Sequence, residues 1–419
     1  MNHFARKRGE LFCEGVPLAR IAEKVGTPTY VYSAATLRRH ARVFLAALRG
    51  LDHLACFAVK SAPNLALLAL LAREGFGFDI VSGGELHRAL AAGGDPQRIV
   101  FSGVGKTRGE LEAALGAGIL QFNCESEEEL EQLSQVALGQ AGRGRGRARI
   151  SIRVNPDVDA KTHPYIATAL STSKFGIPAS RARKAFKLAA SLRGLEVVGV
   201  ACHIGSQISS VRPFVEAAVK MRALVLLLRK DGHAIRHLDM GGGLGVPYGD
   251  GKAPAVPAVY GRALVKALGG LDVRVLFEPG RLLVANAGVL LTRVLLQKRG
   301  AGARRFAVVD AGMNDLLRPA LYQAHHELET VARPRPGRSR VDVVGPVCES
   351  ADVLAARRSL PPLKSGDLLA IRTAGAYGMA MASNYNARPR PAEVLVDGDR
   401  FRVVRARESL GDLLRGETL

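Results

Sequence analysis

Short apolar runs alternate with longer helical patterns from about residue 54 to residue 278, and this alternation limits the possible folds more than any other feature of the sequence. In the longer segments, apolar residues recur every three or four positions, as an amphipathic helix requires. We count eight strand–helix units, and eight is the number that closes a parallel barrel. The strands are predicted at residues 54–59, 77–81, 99–101, 121–124, 149–154, 197–203, 237–240 and 273–278.

The pattern changes after about residue 285, where short strand-like runs are separated by turn residues. Such a pattern predicts a mostly antiparallel β domain. The segment 28–32 (PTYVY) is also strand-like and is expected to join that domain. We therefore predict a (β/α)8 barrel at residues 36–284 and a β domain built from both chain ends, residues 1–35 and 285–419. An open, doubly wound sheet is the alternative to the barrel.

Polar residues follow the predicted strands at the end where a barrel of this type carries its active site. They favour the barrel over the open sheet, because in a barrel they converge on one rim. Lys60 ends the first strand, Arg153 lies in the fifth and His203 ends the sixth. Gly241, Gly242 and Gly243 follow the seventh, and Glu278 ends the eighth, with Gly280 and Arg281 shortly after it.

This set of residues suits pyridoxal phosphate. A lysine amine can form a Schiff base with the cofactor aldehyde. The phosphate needs backbone N–H groups that approach it closely, which glycines permit. A carboxylate facing the ring nitrogen keeps that nitrogen protonated, and a flat imidazole can pack against the ring.

Each of these residues alone has an ordinary structural interpretation: a surface lysine, a core histidine, a tight turn, or a turn with an ion pair. Their joint occurrence at five strand ends favours the cofactor site. Two glycine-rich segments fail as nucleotide motifs. Residues 241–246 end in Val246 where a dinucleotide fingerprint needs glycine, and residues 102–107 are preceded by Val100 where a Walker A loop needs glycine.

The formal net charge of +21 admits two explanations, an anionic partner such as nucleic acid or an arginine-rich solvated surface. The densest basic stretches, 139–149 and 333–340, contain no interleaved aromatic residues to stack on bases. We favour the solvated surface and predict neither nucleic-acid binding nor a membrane span. The N-terminus lacks an apolar leader segment, so a cytoplasmic location is expected. The five cysteines form no C-x-x-C pair, which predicts no metal site.

The sequence resembles the fold-type III pyridoxal-phosphate decarboxylases, which have an alanine-racemase-like barrel, and within them the diaminopimelate decarboxylase branch. The matching motifs occur in family order along nearly the whole chain. They are residues 57–60 (FAVK), 79–86 (DIVSGGEL), 163–166 (HPYI), 173–176 (SKFG), 203–207 (HIGSQ), 241–243 (GGG), 278–281 (EPGR), 345–350 (GPVCES) and 385–391 (YNARPRP).

The resemblance implies decarboxylation of meso-diaminopimelate to L-lysine and carbon dioxide, the last step of lysine biosynthesis. Lys60 would carry the cofactor, His203 would stack on it and Cys348 would protonate the intermediate. Cofactor contacts would come from Lys60, Asp79, Arg153, His203, Ser206, Gly241, Gly242, Gly243, Glu278, Gly280, Arg281 and Tyr377. Substrate contacts would come from Arg281, Arg318, Tyr322, Glu349 and Tyr377.

The same resemblance implies a homodimer with shared active sites, since Cys348 and Glu349 reach the site of the other subunit in the family. Cys348-Glu349 and the Arg318 to Tyr322 pattern favour a substrate with a second carboxylate. Related decarboxylases of ornithine, arginine or carboxynorspermidine remain the alternative, and a non-catalytic homologue is a further one. The chain departs from the family at Ser61-Ala62-Pro63-Asn64 and at Thr168-Ala169.

Overall fold

A computed structural model describes residues 2–140, 146–159, 174–249 and 253–419. Its internal contacts divide the chain into two units. The first contains His40–Val246 and Ala253–Leu282. The second contains Met1–Arg39, Pro247–Lys252 and Leu283–Leu419, and so draws on both ends of the chain.

The N-terminal residues form a small antiparallel sheet, a short helix and one strand of a larger sheet. The elements are β1 (Phe4–Lys7), β2 (Glu10–Cys13), β3 (Val16–Pro17), α1 (Leu18–Val25), β4 (Thr29–Ser33) and α2 (Ala34–Ala47). The first three strands were missed in the sequence because they have only two to four residues each, and β1 and β2 also carry charged side chains. So short a run gives no clear period of two.

Eight parallel strands form a closed ring in the first unit, which confirms the predicted barrel over the open sheet. The ring closes where the last strand pairs with the first, with Leu276 opposite Leu54. A two-residue strand, β10 (Ile177–Pro178), pairs outside the ring. The ring strands are β5 (His53–Ala58), β6 (Gly77–Ile80), β7 (Ile99–Phe101), β8 (Gln121–Cys124), β9 (Ala148–Asn155), β11 (Leu195–Ala201), β12 (His237–Asp239) and β13 (Arg274–Phe277).

The longer apolar patterns between the predicted strands form helices, as expected. Thr107 caps one of them in a capping box with Glu110, which fixes where that helix begins. The longest helix buries residues three or four positions apart, as its sequence pattern requires. The helices are α3 (Leu65–Arg73), α4 (Gly83–Ala91), α5 (Arg108–Ala117), α6 (Glu127–Gln140), α7 (Ala182–Ser191), α8 (Arg212–Lys230) and α9 (Pro257–Leu268).

Three residues predicted as strand ends lie just beyond their strands. Lys60 belongs to a 3-10 turn, Val59–Ser61, that follows β5. His203 lies two residues after β11, and Glu278 follows β13 directly. The predicted strands are one or two residues too long at this end, because the apolar pattern continues past the last backbone hydrogen bond of the sheet. Each side chain is therefore presented by a loop anchored on a strand.

A mostly antiparallel sheet forms the second unit, as predicted, and β4 lies inside it between β14 and β20. Two neighbouring pairs, β15 with β17 and β4 with β20, are parallel. The remaining elements are α10 (Arg281–Val284), β14 (Gly288–Arg299), β15 (Arg305–Val309), α11 (Arg318–Tyr322), β16 (Leu328–Thr330), β17 (Ser339–Val344), β18 (Val353–Leu360), β19 (Leu368–Ile371), β20 (Ala392–Asp397), β21 (Arg400–Arg405) and α12 (Leu410–Leu413).

The core of the second unit contains apolar residues from both chain ends. Leu11 and Ile21 pack in one buried cluster with Val31, Leu291 and Val394. Burial of such side chains contributes roughly 1.5–3 kcal/mol each. The N-terminal segment is therefore an integral part of this unit.

Part of the basic stretch 139–149 lies outside the described residues, whereas 333–340 is described and forms a loop that leads into β17. Within that loop Arg335 pairs with Asp367 at 2.6 Å, and Arg338 bonds Ser359. Among the described residues, no helix combines the length and the apolar character needed to cross a bilayer.

Candidate active site

Lys60 lies beside a buried carboxylate at the barrel rim. Its Nζ is 2.6 Å from Asp79 Oδ2, and Asp79 is carried by the neighbouring strand β6. The Lys60 side chain is 35% exposed, whereas that of Asp79 is completely buried. The second oxygen, Asp79 Oδ1, is buried without a hydrogen-bond partner. The aspartate thus fixes an amine that a small molecule can still reach.

His203 is tied to the glycine turn that follows β12. Its Nδ1 accepts a hydrogen bond from the Gly242 N–H at 3.1 Å. Burial, reinforced by the charges of Arg153 and Lys60, lowers the pKa of His203 well below its ordinary value. The ring is therefore neutral at physiological pH and presents a flat, uncharged face.

The glycine turn is packed so closely that side chains are excluded. A Cβ on Gly242 would overlap the Glu278 carbonyl oxygen, and a Cβ on Gly243 would overlap the Gly205 carbonyl oxygen. Gly241 and Gly243 have φ values of 64° and 111°, a region that favours glycine. This bare backbone is what a phosphate-binding turn requires.

Glu278 is buried at the centre of the barrel next to a second acid. Asn123 Nδ2 lies 3.3 Å from Glu278 Oε1 and 3.0 Å from Asp239 Oδ2. Burial first, and the neighbouring acids Asp239 and Asp79 next, raise the pKa of Glu278 well above its ordinary value. Burial also raises the pKa of Asp239. The protonation state of both acids therefore depends on any cation placed beside them, because a positive charge favours the ionised form.

Two arginines at the rim are oriented by polar partners. Arg153 Nη1 donates to Glu125 Oε1 at 3.0 Å, and its guanidinium packs 4.9 Å from the Phe175 ring centroid. Arg281 Nη2 donates to Ser206 Oγ at 3.1 Å. Gly280 lies so close to Ser61 that a Cβ would contact its hydroxyl at 3.1 Å.

These residues fit pyridoxal phosphate. An anchored but accessible lysine amine can attach to the aldehyde, the bare glycine turn can receive a phosphate, and a buried acid can face the ring nitrogen. In the segment after Lys60 that departs from the family, Asn64 caps α3 by accepting from the Ala66 N–H at 2.9 Å. His163 to Ile166, Ser173, Thr168 and Ala169 lie outside the described residues.

The other predicted site residues belong to the second unit. Cys348 is exposed, and its N–H donates to Asn386 Oδ1 at 2.8 Å. Glu349 accepts a hydrogen bond from the Tyr385 hydroxyl, and this bond raises the pKa of Tyr385. Tyr377 has a φ of 55°, an uncommon value for a residue with a side chain.

Arg318 begins α11 and is held in place by aromatic residues. Its guanidinium carbon lies 4.5 Å from the Tyr248 ring centroid, and Nη1 lies 3.1 Å from His326 Nε2. His326 Nδ1 is in turn 2.8 Å from the Arg372 carbonyl oxygen. Tyr322 ends the same helix. Stacking of this kind pre-orients a guanidinium for a planar anion.

Sequence reasoning missed several residues of these networks. Asn123, Glu125 and Ser102 were not selected, although each is a buried polar residue at or next to a ring strand. The available signal was position: Gln121 and Asn123 stand two residues apart in β8, so both project to the same face. Tyr385 begins the family motif at residues 385–391, but nothing in that motif indicated its contact with Glu349. Tyr248 gave no signal, because its partner Arg318 is distant in sequence.

Comparison with known proteins places these residues in a family. A family profile, pyridoxal-dependent decarboxylase, pyridoxal binding domain, matches residues 34–285. The diaminopimelate decarboxylase of Pseudomonas aeruginosa is 54% identical over 420 residues, covering 100% of this chain and 99% of the relative. That of Vibrio cholerae is 53% identical, covering 99% and 98%. The chain belongs to the diaminopimelate decarboxylase family.

Solved structures of family members agree with the fold. Diaminopimelate decarboxylase of Helicobacter pylori, complexed with L-lysine, matches with a TM-score of 0.90 and 43% identity over 95% of this chain and 98% of that chain. The enzyme of M. jannaschii, in co-complex with L-lysine, matches with a TM-score of 0.94 and 36% identity over 100% and 99%. Family membership confirms the predicted decarboxylase class and the pyridoxal-phosphate cofactor.

Proposed function

We propose that this chain decarboxylates meso-diaminopimelate to L-lysine and carbon dioxide. The observation that carries the proposal is the Lys60 amine held at a strand end by the buried carboxylate of Asp79. It supports the proposal together with the full-length relatives named diaminopimelate decarboxylase and the L-lysine present in two solved family members.

Bound pyridoxal phosphate supplies an electron sink for the negative charge left when a carboxylate departs as carbon dioxide. Lys60 would provide the attachment amine, and Asp79 would hold it in position. The neutral imidazole of His203 would pack on the ring face. Glu278 would accept a hydrogen bond from the ring nitrogen and so keep that nitrogen protonated.

The phosphate would lie at the glycine turn. Gly241, Gly242 and Gly243 would offer backbone N–H groups, since no side chain blocks the approach. Ser206, Gly280 and Tyr377 would complete the phosphate contacts. Arg153 would add positive charge near the ring.

Substrate carboxylates would be bound by arginines, whose planar donors match a carboxylate. Arg281 and Arg318 are proposed for this task, with Tyr322 and Tyr377 as hydroxyl donors. Glu349 would pair with the distal ammonium group. Cys348, exposed in the second unit, would deliver the proton that replaces the departing carboxylate.

A homodimer with shared active sites is part of the proposal. Mixing two inactive variants, Lys60→Ala and Cys348→Ala, tests it. Shared sites in a two-fold dimer predict that the mixture regains about a quarter of wild-type activity, since half of the dimers hold one intact site. No regain, with exchange of subunits verified, would show that each site is built within one chain. The cytoplasmic location stays a prediction from the sequence.

Substrate choice is tested by measuring carbon dioxide release from meso-diaminopimelate, ornithine, arginine and carboxynorspermidine. We expect turnover of diaminopimelate with formation of L-lysine and at least a hundredfold lower kcat/KM for substrates without a second carboxylate, because Arg318 would be left without its anion. Turnover of ornithine alone would contradict the proposal. Lack of turnover of all four amino acids by protein carrying the cofactor would favour a non-catalytic homologue.

A further inference from the structure

The barrel centre below the proposed cofactor site holds a buried hydrogen-bond network. Glu278, Asp239, Ser102 and Asn123 are each between 1% and 7% exposed. Ser102 Oγ is 3.3 Å from Glu278 Oε1 and accepts from Asn123 Nδ2 at 3.1 Å. Two acids therefore share the Asn123 amide away from water, and Glu278 also contacts the Ser102 hydroxyl.

The orientation of the Asn123 amide follows from its surroundings. Its Nδ2 faces the carboxylates of Asp239 and Glu278, which only accept hydrogen bonds when they are ionised. On the other side Asn123 Oδ1 accepts from Gln121 Nε2 at 2.8 Å. Gln121 Oε1 in turn lies 2.7 Å from His237 Nδ1. A flipped amide would set its oxygen against two acids, so the network admits one orientation.

The position of Glu278 depends on this amide. The hydrogen bonds from Asn123 and Ser102 both reach Oε1, and the Glu278 backbone N–H is held by the Gly241 carbonyl at 2.8 Å. Without Asn123, both buried acids would lose a shared donor, and Glu278 would keep Ser102 and Asp239 as side-chain partners. An ionised Glu278 facing a protonated ring nitrogen would then lack the amide donor that holds its Oε1 in place.

We propose that Asn123 is a positioning residue: by bridging Asp239 and Glu278 it fixes the Glu278 carboxylate in the orientation that meets the cofactor ring nitrogen. The proposal rests on the role of Glu278 given under the proposed function. Asn123 makes this contribution through Glu278 and Asp239 and touches neither substrate nor cofactor. Replacement of Asn123 is therefore expected to change the rate of the chemical step and the protonation of the cofactor ring, while substrate affinity stays the same.

A double-mutant cycle with Asn123→Ala and Glu278→Gln tests this coupling. Asn123→Ala is expected to lower kcat by about tenfold or more with KM within about twofold, since a hydrogen bond to a charged group is lost. In the Glu278→Gln background the same change is expected to cost less than about threefold. The absorption spectrum of the bound cofactor, recorded without substrate, is expected to shift in the same direction in both single variants.

A matched control is available on the neighbouring strand. Ser151 of β9 stands opposite Asn123 in the ladder, and its hydroxyl is buried without a hydrogen-bond partner. Ser151→Ala removes a buried polar group at the same level of the barrel and is expected to leave kcat and the spectrum unchanged. Asn123→Ser keeps one donor, is expected to recover part of the activity, and serves as the test variant if Asn123→Ala does not fold.

The outcomes separate the two proposals. If the kcat losses of Asn123→Ala and Glu278→Gln multiply, Asn123 acts independently of Glu278 and the positioning role is wrong. The same holds if the spectrum of Asn123→Ala equals that of the wild type. If Glu278→Gln itself matches the wild type in both spectrum and kcat, the role proposed for Glu278 fails instead.

Discussion

Lys60 Nζ and Asp79 Oδ2 are 2.6 Å apart, although 19 residues separate them in the sequence. Asp79 lies opposite Ala58 in the strand ladder, so the acid stands beside the turn that carries the lysine. Its carboxylate is fully buried, whereas the amine is partly exposed. The barrel wall therefore fixes the acid, and the acid fixes the amine.

Replacing Asp79 with asparagine is expected to slow cofactor attachment by about tenfold, because the buried charge that orients the Lys60 amine is lost while the side-chain shape remains. Borohydride reduction followed by peptide mass spectrometry measures attachment at Lys60. Asp52→Asn, which removes an exposed partner of Arg274, serves as control and should attach the cofactor at the wild-type rate. Lys60→Ala should show no adduct; a full adduct in it would refute the assignment of Lys60.

The effect of replacing a glycine with alanine is expected to depend strongly on whether the glycine lies in the glycine turn. Gly242→Ala should weaken cofactor binding by at least about tenfold and destabilise the protein by roughly 1–3 kcal/mol, because the new Cβ would overlap the Glu278 carbonyl oxygen. Gly116→Ala lies in α5 with nothing near its Cβ position and should stabilise by about 0.5–1 kcal/mol. Equilibrium dialysis of the cofactor and thermal unfolding give the two readouts. Unchanged cofactor binding in Gly242→Ala would remove the turn from the site.

Cysteine labelling should distinguish Cys348 from the other four thiols. Cys13, Cys56, Cys124 and Cys202 are buried, and burial raises the pKa of each. At pH 8 iodoacetamide should therefore modify one thiol per native chain, since the thiolate is the reactive form. Saturating L-lysine should slow that modification by about tenfold if Cys348 faces the bound ligand.

Two variants check the labelling assignment. Cys348→Ala should take up no label in the native protein, whereas Cys13→Ala should label as the wild type does. Modification of Cys348 at the same rate with and without L-lysine would argue against its role as proton donor.

The lowered pKa of His237 predicts that the folded protein loses stability in mild acid. Burial, together with Arg236, Arg274 and Arg149, lowers its pKa from 6.5 to about 4. Between those values the unfolded chain binds a proton that the folded chain does not. The free energy of unfolding therefore falls as pH drops from 6.5 to about 4, and this contribution is constant below that range.

In His237→Asn that decline should be smaller by about 1–2 kcal/mol, after allowance for the partial exposure of the ring. Urea denaturation at pH 7 and at pH 4 measures the difference. His87→Asn, at an exposed position on α4, should follow the wild-type curve. An identical decline in His237→Asn would mean that other groups cause the acid sensitivity.

The barrel could be predicted because each of its units repeats one local pattern, and residues such as Lys60 and Glu278 stand at fixed points of that pattern. Local composition also identified β4, because its run TYVYS is rich in β-branched and aromatic residues. What the sequence could not show was pairing between distant residues. Asn123 and Glu278 are 155 residues apart, and their hydrogen bond exists only because the ring closes.

The same limit applied to the second unit. Strands β1 to β3 are too short for a periodic signal, and β14 continues for 12 residues because pairing with β4, β15 and β19 sustains it. The partners of Arg318 come from two separate segments, residue 248 and residue 326. Local spacing carries no information about such pairs.

The position of β4 between β14 and β20 also affects biosynthesis. Val31 pairs with Val394, so β4 acquires this neighbour only after the barrel and the other strands that precede β20 have been translated. Until then one edge of this strand lacks hydrogen-bond partners, a condition that invites pairing with other nascent chains. Truncation before residue 392 would therefore leave a permanently open edge, and such fragments are expected to aggregate rather than accumulate as partly active enzyme.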